Sequence, residues 1–429
     1  MINTIPSVLI YKNLKAYTIV VYLLIFLLLF SVLFFLNPDK VYCDSDDTLY
    51  DDEIDIVAES AVIVDYETGD ILWGKNSSKL MYPASTTKML SSIVAIENID
   101  NFEEIIKISK NASGRNHSAF RFRTGDKISL LDLLKAALII SHNNASIALA
   151  EYVSGNVEDF VKLMNIKAKE IGAKKSFFQN TNGLDDNFPH HKSTAIDLAK
   201  IASYCMKNKL FSEIVNTGED TIKINDKEIE ITNTSKLLNY DYIKGIKTGY
   251  TINAGFCRAV YSEKENLKLI TVILNSSKEE REKDVLKLLN WAYDNLEYTK
   301  IVDSKQPSIT ANIGEKTGVN IDLYPDIDYV KLINVNSDVV DIKHKIYHDI
   351  NLPIERNEIL GSMDIFINNK KLKEINMIAT ENIGSCYIYQ ELSDAEEIQS
   401  RVVLIFLLVF YFLIFIFIIV RNLLTKKNV

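Results

Sequence analysis

The chain has 429 residues, room for two or three domain-sized units, with 47% hydrophobic and 24% charged residues. A formal charge of −9 and the lack of a basic cluster with interleaved aromatics argue against nucleic acid as a partner. The cysteines at 43, 205, 257 and 386 are scattered without paired spacing, which excludes a disulfide framework.

Two long runs are too uniformly apolar to read as core helices. Ala16–Leu36 carries no charge and follows Lys12 and Lys15; Val402–Val420 carries none between Arg401 and Arg421. A bilayer core needs about 20 apolar residues in helix, so both can span it. Residues 1–43 are read as a signal peptide or an N-terminal anchor, Val41-Tyr42-Cys43 being a poor cleavage site. Residues 402–420 are read as a transmembrane anchor and 421–429 as a cytoplasmic basic tail. The basic flanks put both termini in the cytoplasm and residues 44–400 outside the membrane. Asp44, Asp46, Asp47, Asp51, Asp52, Glu53 and Asp55 make 44–56 an acidic, solvated linker.

The elements then follow in order. Ala61–Asp65 and Ile71–Trp73 read as two strands joined by a turn over Tyr66–Asp70. After Pro83 a helix begins, with Met89, Leu90, Ile93, Val94 and Ile96 at helical spacing. Ser129 caps a helix over Leu130–Ile139, and further helices are predicted over Ala145–Tyr152, Val157–Ile171 and Ala195–Met206. Strands return at Ile243–Thr248, Phe256–Tyr261 and Leu267–Leu274, and a helix over Lys283–Asn295 closes the unit. Strands, a block of helices, then antiparallel strands and a last helix make an α+β domain, an antiparallel sheet with an inserted helical lobe, over residues 57–297. Beyond it, short runs at Val319–Leu323, Tyr329–Ile333, Met363–Ile367 and Ile375–Ala379 predict a small all-β domain over 298–392, with Asn-Asn-Lys at 368–370 closing one hairpin.

Three strings carry chemistry: Ser85-Thr86-Thr87-Lys88, Ser141-His142-Asn143 and Lys247-Thr248-Gly249. Ser85 and Lys88, three apart at a helix start, share one face. A serine hydroxyl needs a base, and a lysine serves only when its pKa falls far below about 10.4, which burial and a neighbouring cation such as Lys247 both bring about. Ser141 can relay a proton, and the Asn143 amide can hold a substrate carbonyl or fix Lys88. Lys247 and Thr248 can grip a carboxylate. The backbone N–H groups of Ser85 and Tyr250 are the candidates for an oxyanion hole. Cys257 either lines the site or is a small buried residue. A second Lys-Thr-Gly string at 316–318 has no partner strings and reads as a turn. His190 and His191, and His344 and His348, lack a converging third ligand, so no metal site is expected.

The ordered trio resembles that of penicillin-binding proteins and class A β-lactamases. With the segments AVIVDYETGDILWGKN, YPASTTKM, FFQNTNGLDD, KSTAIDLA and GIKTGYTINAGFC, the chain resembles the exported serine D-alanyl-D-alanine carboxypeptidases, the low-molecular-mass penicillin-binding proteins. LPIERNEILG resembles their C-terminal module.

The resemblance implies a serine β-lactamase/DD-peptidase-like fold followed by a β-rich domain. It makes Ser85 the acyl-enzyme nucleophile, Lys88 its base, Ser141 and Asn143 the second element, and Lys247 and Thr248 the carboxylate-binding element. Arg281 either helps hold the substrate carboxylate, as a family arginine does, or is a solvated charge at a helix start. No cofactor is implied. The implied partners are peptidoglycan stem peptides ending in D-Ala-D-Ala, β-lactam antibiotics, and the membrane through the C-terminal helix, with the catalytic domain on the extracytoplasmic side of the cell membrane. His142 and Asn144 depart from the family, which has a small residue and an aspartate there. The rival readings are a β-lactamase, for which no Glu-x-x-Leu-Asn string is present between Ser141 and Lys247, and a catalytically weak wall-binding relative.

Overall fold

The computed structural model describes residues 49–50, 52–114, 120–313, 319–347, 350, 352–384 and 401–412. The N-terminal apolar run, residues 44–48 and 51 of the acidic linker, Cys43, Cys386, His348, the 316–318 string and residues 413–429 lie outside them. Residues 401–412 are helical and exposed; among the described residues no helix is long and apolar enough to cross a membrane.

The chain divides into two compact units, one ending at Trp291 and the other beginning at Ala292. The first is the α+β arrangement that the order of elements predicts. Its sheet is built from β1 (Ser60–Asp65), β2 (Ile71–Lys75), β7 (Ile243–Thr251), β8 (Gly255–Lys264) and β9 (Leu267–Ser276), in the order β2-β1-β9-β8-β7. Every neighbouring pair is antiparallel, so the first strands of the chain add to the edge of the last three. β1 is buried at every residue and β8 and β9 along their middles, so these central strands are covered on both faces.

Between β2 and β7 runs the helical lobe. Its centre is α1 (Thr87–Glu97), where every residue from Thr87 to Ile96 is buried, Lys88 included. A helix buried all round needs partners on every face, and it has them in α2 (Leu130–Leu138), α3 (Asn143–Ser154), α4 (Val157–Glu170) and α5 (Ala195–Met206). The Ser129 side chain accepts from the Asp132 N–H and caps α2, and Thr194 does the same for α5 through Asp197.

Sequence patterning misses several elements here. A two-strand pair, β3 (Ile105–Lys107) with β4 (Lys127–Ser129), precedes α2, and α6 (Lys209–Asn216) follows α5. A hairpin of β5 (Glu219–Ile224) and β6 (Lys227–Thr232) turns at Asn225 and Asp226, both with positive φ. That is the backbone a two-residue hairpin loop demands. The helix expected to start at Lys283 begins earlier, α7 (Arg281–Asn295), which places Arg281 in its first turn.

The second unit is β-rich. A five-stranded sheet runs β11 (Ile309–Ile313), β12 (Val319–Pro325), β16 (Lys370–Ile378), β15 (Ile359–Ile367), β14 (Val340–Ile346), and β10 (Leu296–Val302) pairs with β13 (Tyr329–Asn334). The β15–β16 turn is at Asn368 and Asn369, both with positive φ. Leu323, Met363, Ile365 and Met377 lie in its core.

Candidate active site

Pro83 and a one-turn 3-10 helix, Ala84–Thr86, precede α1, so Ser85 sits in this turn and not within the α-helix itself. Thr86 and Thr87 hold the turn closed, their hydroxyls donating to the carbonyls of Pro83 and Ala84 at 2.6 and 2.8 Å. Lys88 follows on α1, and its Nζ lies 2.8 Å from Ser85 Oγ. It also lies 2.7 Å from Asn143 Oδ1, 3.1 Å from the carbonyl oxygen of Asn182 and 3.4 Å from Ser141 Oγ.

Lys88 is fully buried, and burial, followed by the charge of Lys247, holds its pKa well below the usual lysine range. The bonding pattern agrees with an uncharged amine. Its two N–H groups match the two obligate acceptors, Asn143 Oδ1 and Asn182 O, and its lone pair is left for the Ser85 hydroxyl. Ser141 stands in a turn between α2 and α3 with φ of 59°, and Asn143 opens α3.

Lys247, Thr248 and Gly249 lie on β7, the edge strand of the sheet. A Cβ added at Gly249 would come within 2.8 Å of the Ser85 nitrogen, so the absence of a side chain is what lets β7 approach the Ser85 amide. Lys247 is buried, its Nζ donating to the Thr248 carbonyl at 3.0 Å. Burial and then the Arg258 guanidinium bring its pKa down to about 7. Thr248 Oγ1 is 2.8 Å from Thr234 Oγ1. Tyr250 is exposed and stacks on Phe256 with ring centroids 4.4 Å apart.

The structure thus gathers Ser85, Lys88, Ser141 and Asn143 into direct contact and sets the charge of Lys247 close enough to act on Lys88. Arg281 is held by other contacts. Its Nε donates to Glu282 Oε1 at 3.0 Å, and its guanidinium lies 4.5 Å over the Phe256 ring. Cys257 is buried with its thiol pushed up to about 12, and Sγ reaches the carbonyls of Ala254 and Tyr82. Among the described residues no cluster of three or more His, Cys, Asp or Glu could hold a metal.

Several contributors escape sequence reasoning. The loop Asn180-Thr181-Asn182-Gly183 presents the Asn182 carbonyl to Lys88. It is folded by Asn180 Oδ1, which accepts from the N–H groups of Asn182 and Gly183. The Asn-Thr-Asn-Gly string signals a turn, but nothing in it points to Lys88. Arg258, directly opposite Thr248 in the β7–β8 register, is almost fully buried and pairs with Glu282. On a strand otherwise apolar inward, only the charge itself was a clue. His191 Nε2 lies 2.9 Å from Thr87 Oγ1, and its Nδ1 accepts from the Gln179 N–H at 3.0 Å.

A serine hydroxyl bonded to a buried lysine, with an antiparallel sheet and a helical lobe around them, is the arrangement of a DD-peptidase-like fold. The peptidase S11 family profile, described as D-alanyl-D-alanine carboxypeptidase, matches residues 47–278. The chain belongs to that family and is a peptidase hydrolase. It is 31% identical over 335 residues to D-alanyl-D-alanine carboxypeptidase DacF of Bacillus subtilis, covering 76% of this chain and 86% of that one. Among solved structures it is similar to penicillin-binding protein 5 of Haemophilus influenzae, with TM-score 0.59, 26% identity, and coverage of 78% and 100% of the two chains. It is also similar to the carboxypeptidase DacD of Francisella tularensis, with TM-score 0.61, 25% identity, and coverage of 81% and 98%.

Proposed function

We propose that the protein is a membrane-anchored serine DD-carboxypeptidase that removes the terminal D-alanine from peptidoglycan stem peptides through an acyl-enzyme on Ser85. The observation that carries this reading is the 2.8 Å contact between Ser85 Oγ and a buried, depressed-pKa Lys88. Lys88 takes the hydroxyl proton as Ser85 attacks the carbonyl between the two D-alanines. The backbone N–H groups of Ser85 and Tyr250 stabilise the oxyanion, which the close approach of Gly249 to the Ser85 nitrogen supports. Ser141 passes the proton to the departing amine, Asn143 holds Lys88, and Lys247 with Thr248 receives the substrate's terminal carboxylate. Water, activated by the same lysine, then releases the shortened peptide.

β-Lactams, which present an amide and a carboxylate to these groups, are expected to acylate Ser85. The apolar runs at 16–36 and 402–420 support anchoring, with the catalytic unit on the extracytoplasmic side of the cell membrane. The test is release of D-alanine from a diacetyl-lysyl-D-alanyl-D-alanine peptide. Wild type is expected to turn over, and Ser85→Ala to release nothing and to take up no labelled penicillin. Equal release by the two proteins would refute the reading.

A further inference from the structure

We propose that His142 is a positioning residue for the reaction: it holds Ser141 and Asn143 against Lys88 by locking their shared turn to the segment Phe120–Phe122. The inference rests on the acyl-enzyme reading above and adds to it a residue that touches none of the reacting atoms.

The turn needs holding. Ser141 has φ of 59°, a left-handed backbone that costs a side-chain-bearing residue free energy and persists only where the surroundings over-determine it. His142 supplies the determination from four directions. Its backbone N–H donates to the Ala136 carbonyl at 2.9 Å, tying the turn to the end of α2. Its Nδ1 accepts from the Ala145 N–H at 3.3 Å, which caps α3 and fixes the helix start on which Asn143 stands. Its Nε2 lies 3.2 Å from the Phe120 carbonyl oxygen. Its ring stacks on Phe120 at 4.8 Å and tilts against Phe122 at 4.4 Å.

The two ring bonds select one tautomer. Nδ1 accepts, so the proton resides on Nε2 and is donated to Phe120. A charged imidazole would set an N–H against the Ala145 N–H. The neutral form is therefore the one that fits, and full burial favours it, the pKa falling to about 4. A small residue at this position would keep the backbone bond to Ala136 and lose the three side-chain restraints. What His142 fixes is the distance from Lys88 Nζ to Ser141 Oγ and to Asn143 Oδ1.

The experiment compares His142→Phe and His142→Asn in the full-length protein. Phenylalanine keeps a ring between Phe120 and Phe122 and gives up both imidazole bonds; asparagine keeps an acceptor for the Ala145 N–H and gives up the ring. With the diacetylated tripeptide, His142→Phe is expected to lower kcat about 10-fold or more while KM moves less than about 3-fold, and His142→Asn to fall between it and wild type. In a Ser141→Ala/Asn143→Ala background, with acylation by labelled penicillin as the readout, His142→Phe is expected to cost less than about 3-fold further, because nothing remains to be positioned. Should His142→Phe not fold, Phe120→Ala at its half-buried site thins the stack, leaves the accepting carbonyl in place, and is expected to give the same split in smaller measure. A wild-type kcat in these variants, or equal losses in both backgrounds, overturns the inference while wild type still releases D-alanine. Equal release by wild type and Ser85→Ala instead overturns the reading beneath it.

Discussion

Gly183 lies directly against Ala84: a Cβ built on the glycine would sit 1.8 Å from the Ala84 carbonyl oxygen and 2.9 Å from the Ser85 nitrogen. Two segments distant in sequence are therefore interlocked, one carrying Ser85 and the other carrying the Asn182 carbonyl that meets Lys88. Gly183 also has φ of 88°, which disfavours any side chain. Gly183→Ala should force the loops apart. Overpacking of this kind costs about 1–3 kcal/mol, a loss of roughly 2–12 °C in Tm for a domain of this size. Acylation of Ser85 should slow by more than the stability loss explains, because the Asn182 carbonyl retreats from Lys88. Differential scanning calorimetry and stopped-flow penicillin binding on the same preparation check both halves. Normal acylation in a destabilised protein would show that the loop contact serves folding alone.

Three buried basic groups, Arg258, Lys247 and Lys88, act in series, since the charge of Arg258 depresses Lys247 and that of Lys247 depresses Lys88. Lys88 works as a base only when deprotonated, so kcat/KM should rise with pH through its lowered pKa. Lys247 grips a carboxylate only when protonated, so kcat/KM should fall again as pH passes about 7 in the free enzyme. Arg258→Leu leaves Glu282 paired with Arg281 and removes one like charge from beside Lys247. The descending limb should move to higher pH. A profile that keeps its descending limb in place would show that Lys247 does not set it.

Much of this organisation is legible in the chain. Ser85 with Lys88 announces itself because three residues along a helix bring two side chains onto one face. The apolar spacing of α1 marks a face to bury, whereas burial of the whole helix, Lys88 at its second position included, comes from the helices packed around it. The Asn368-Asn369 turn was also readable, closing the β15–β16 hairpin where the Asn-Asn-Lys string stands. Other features are set by tertiary contact alone. The Asn182 carbonyl is a backbone atom with no sequence signature, and Arg258 becomes a neighbour of Lys247 only through the β7–β8 register. Arg281 is a mixed case. The resemblance offers it either as a substrate ligand or as a solvated charge, and only the fold sets its neighbours, Glu282 and the Phe256 ring.

His142 and His191 are both buried and both depressed to about 4 by that burial. Their pKa in the unfolded chain is near 6.5. Above that value both states are neutral and the fold keeps its full stability. Between about 6.5 and 4 the unfolded chain takes up protons that the native protein refuses, so stability falls as pH falls, and the loss levels off below about 4. A gap of about 2.5 pH units per group corresponds to roughly 3 kcal/mol each. Urea unfolding between pH 7.5 and 4.5 should show the decline. His191→Gln should make it shallower by about one proton, and a variant curve parallel to wild type would disprove the assignment.

Asp284 offers a test of what fastens the start of the sheet. Its carboxylate is fully buried and accepts from the N–H groups of Val57 and Ala58 at 3.0 and 2.9 Å and from the Ser276 hydroxyl at 2.6 Å. It therefore joins the segment entering β1 to the end of β9 and to α7. Replacing it with alanine leaves donors without an acceptor in a space closed to water, and each buried unsatisfied group costs about 1–3 kcal/mol. Water reaching the part-buried Val57 N–H relieves some of that, so Asp284→Ala should lose roughly 2–4 kcal/mol. Asp284→Asn retains one acceptor oxygen and should lose less. Because the site is held from the β7 side and from the helical lobe, kcat in the folded fraction should stay within about 2-fold of wild type. Denaturant midpoints paired with penicillin-titrated kcat separate the two effects. A fall in kcat that matches the stability loss would mean that this end of the sheet also sets the geometry at Ser85.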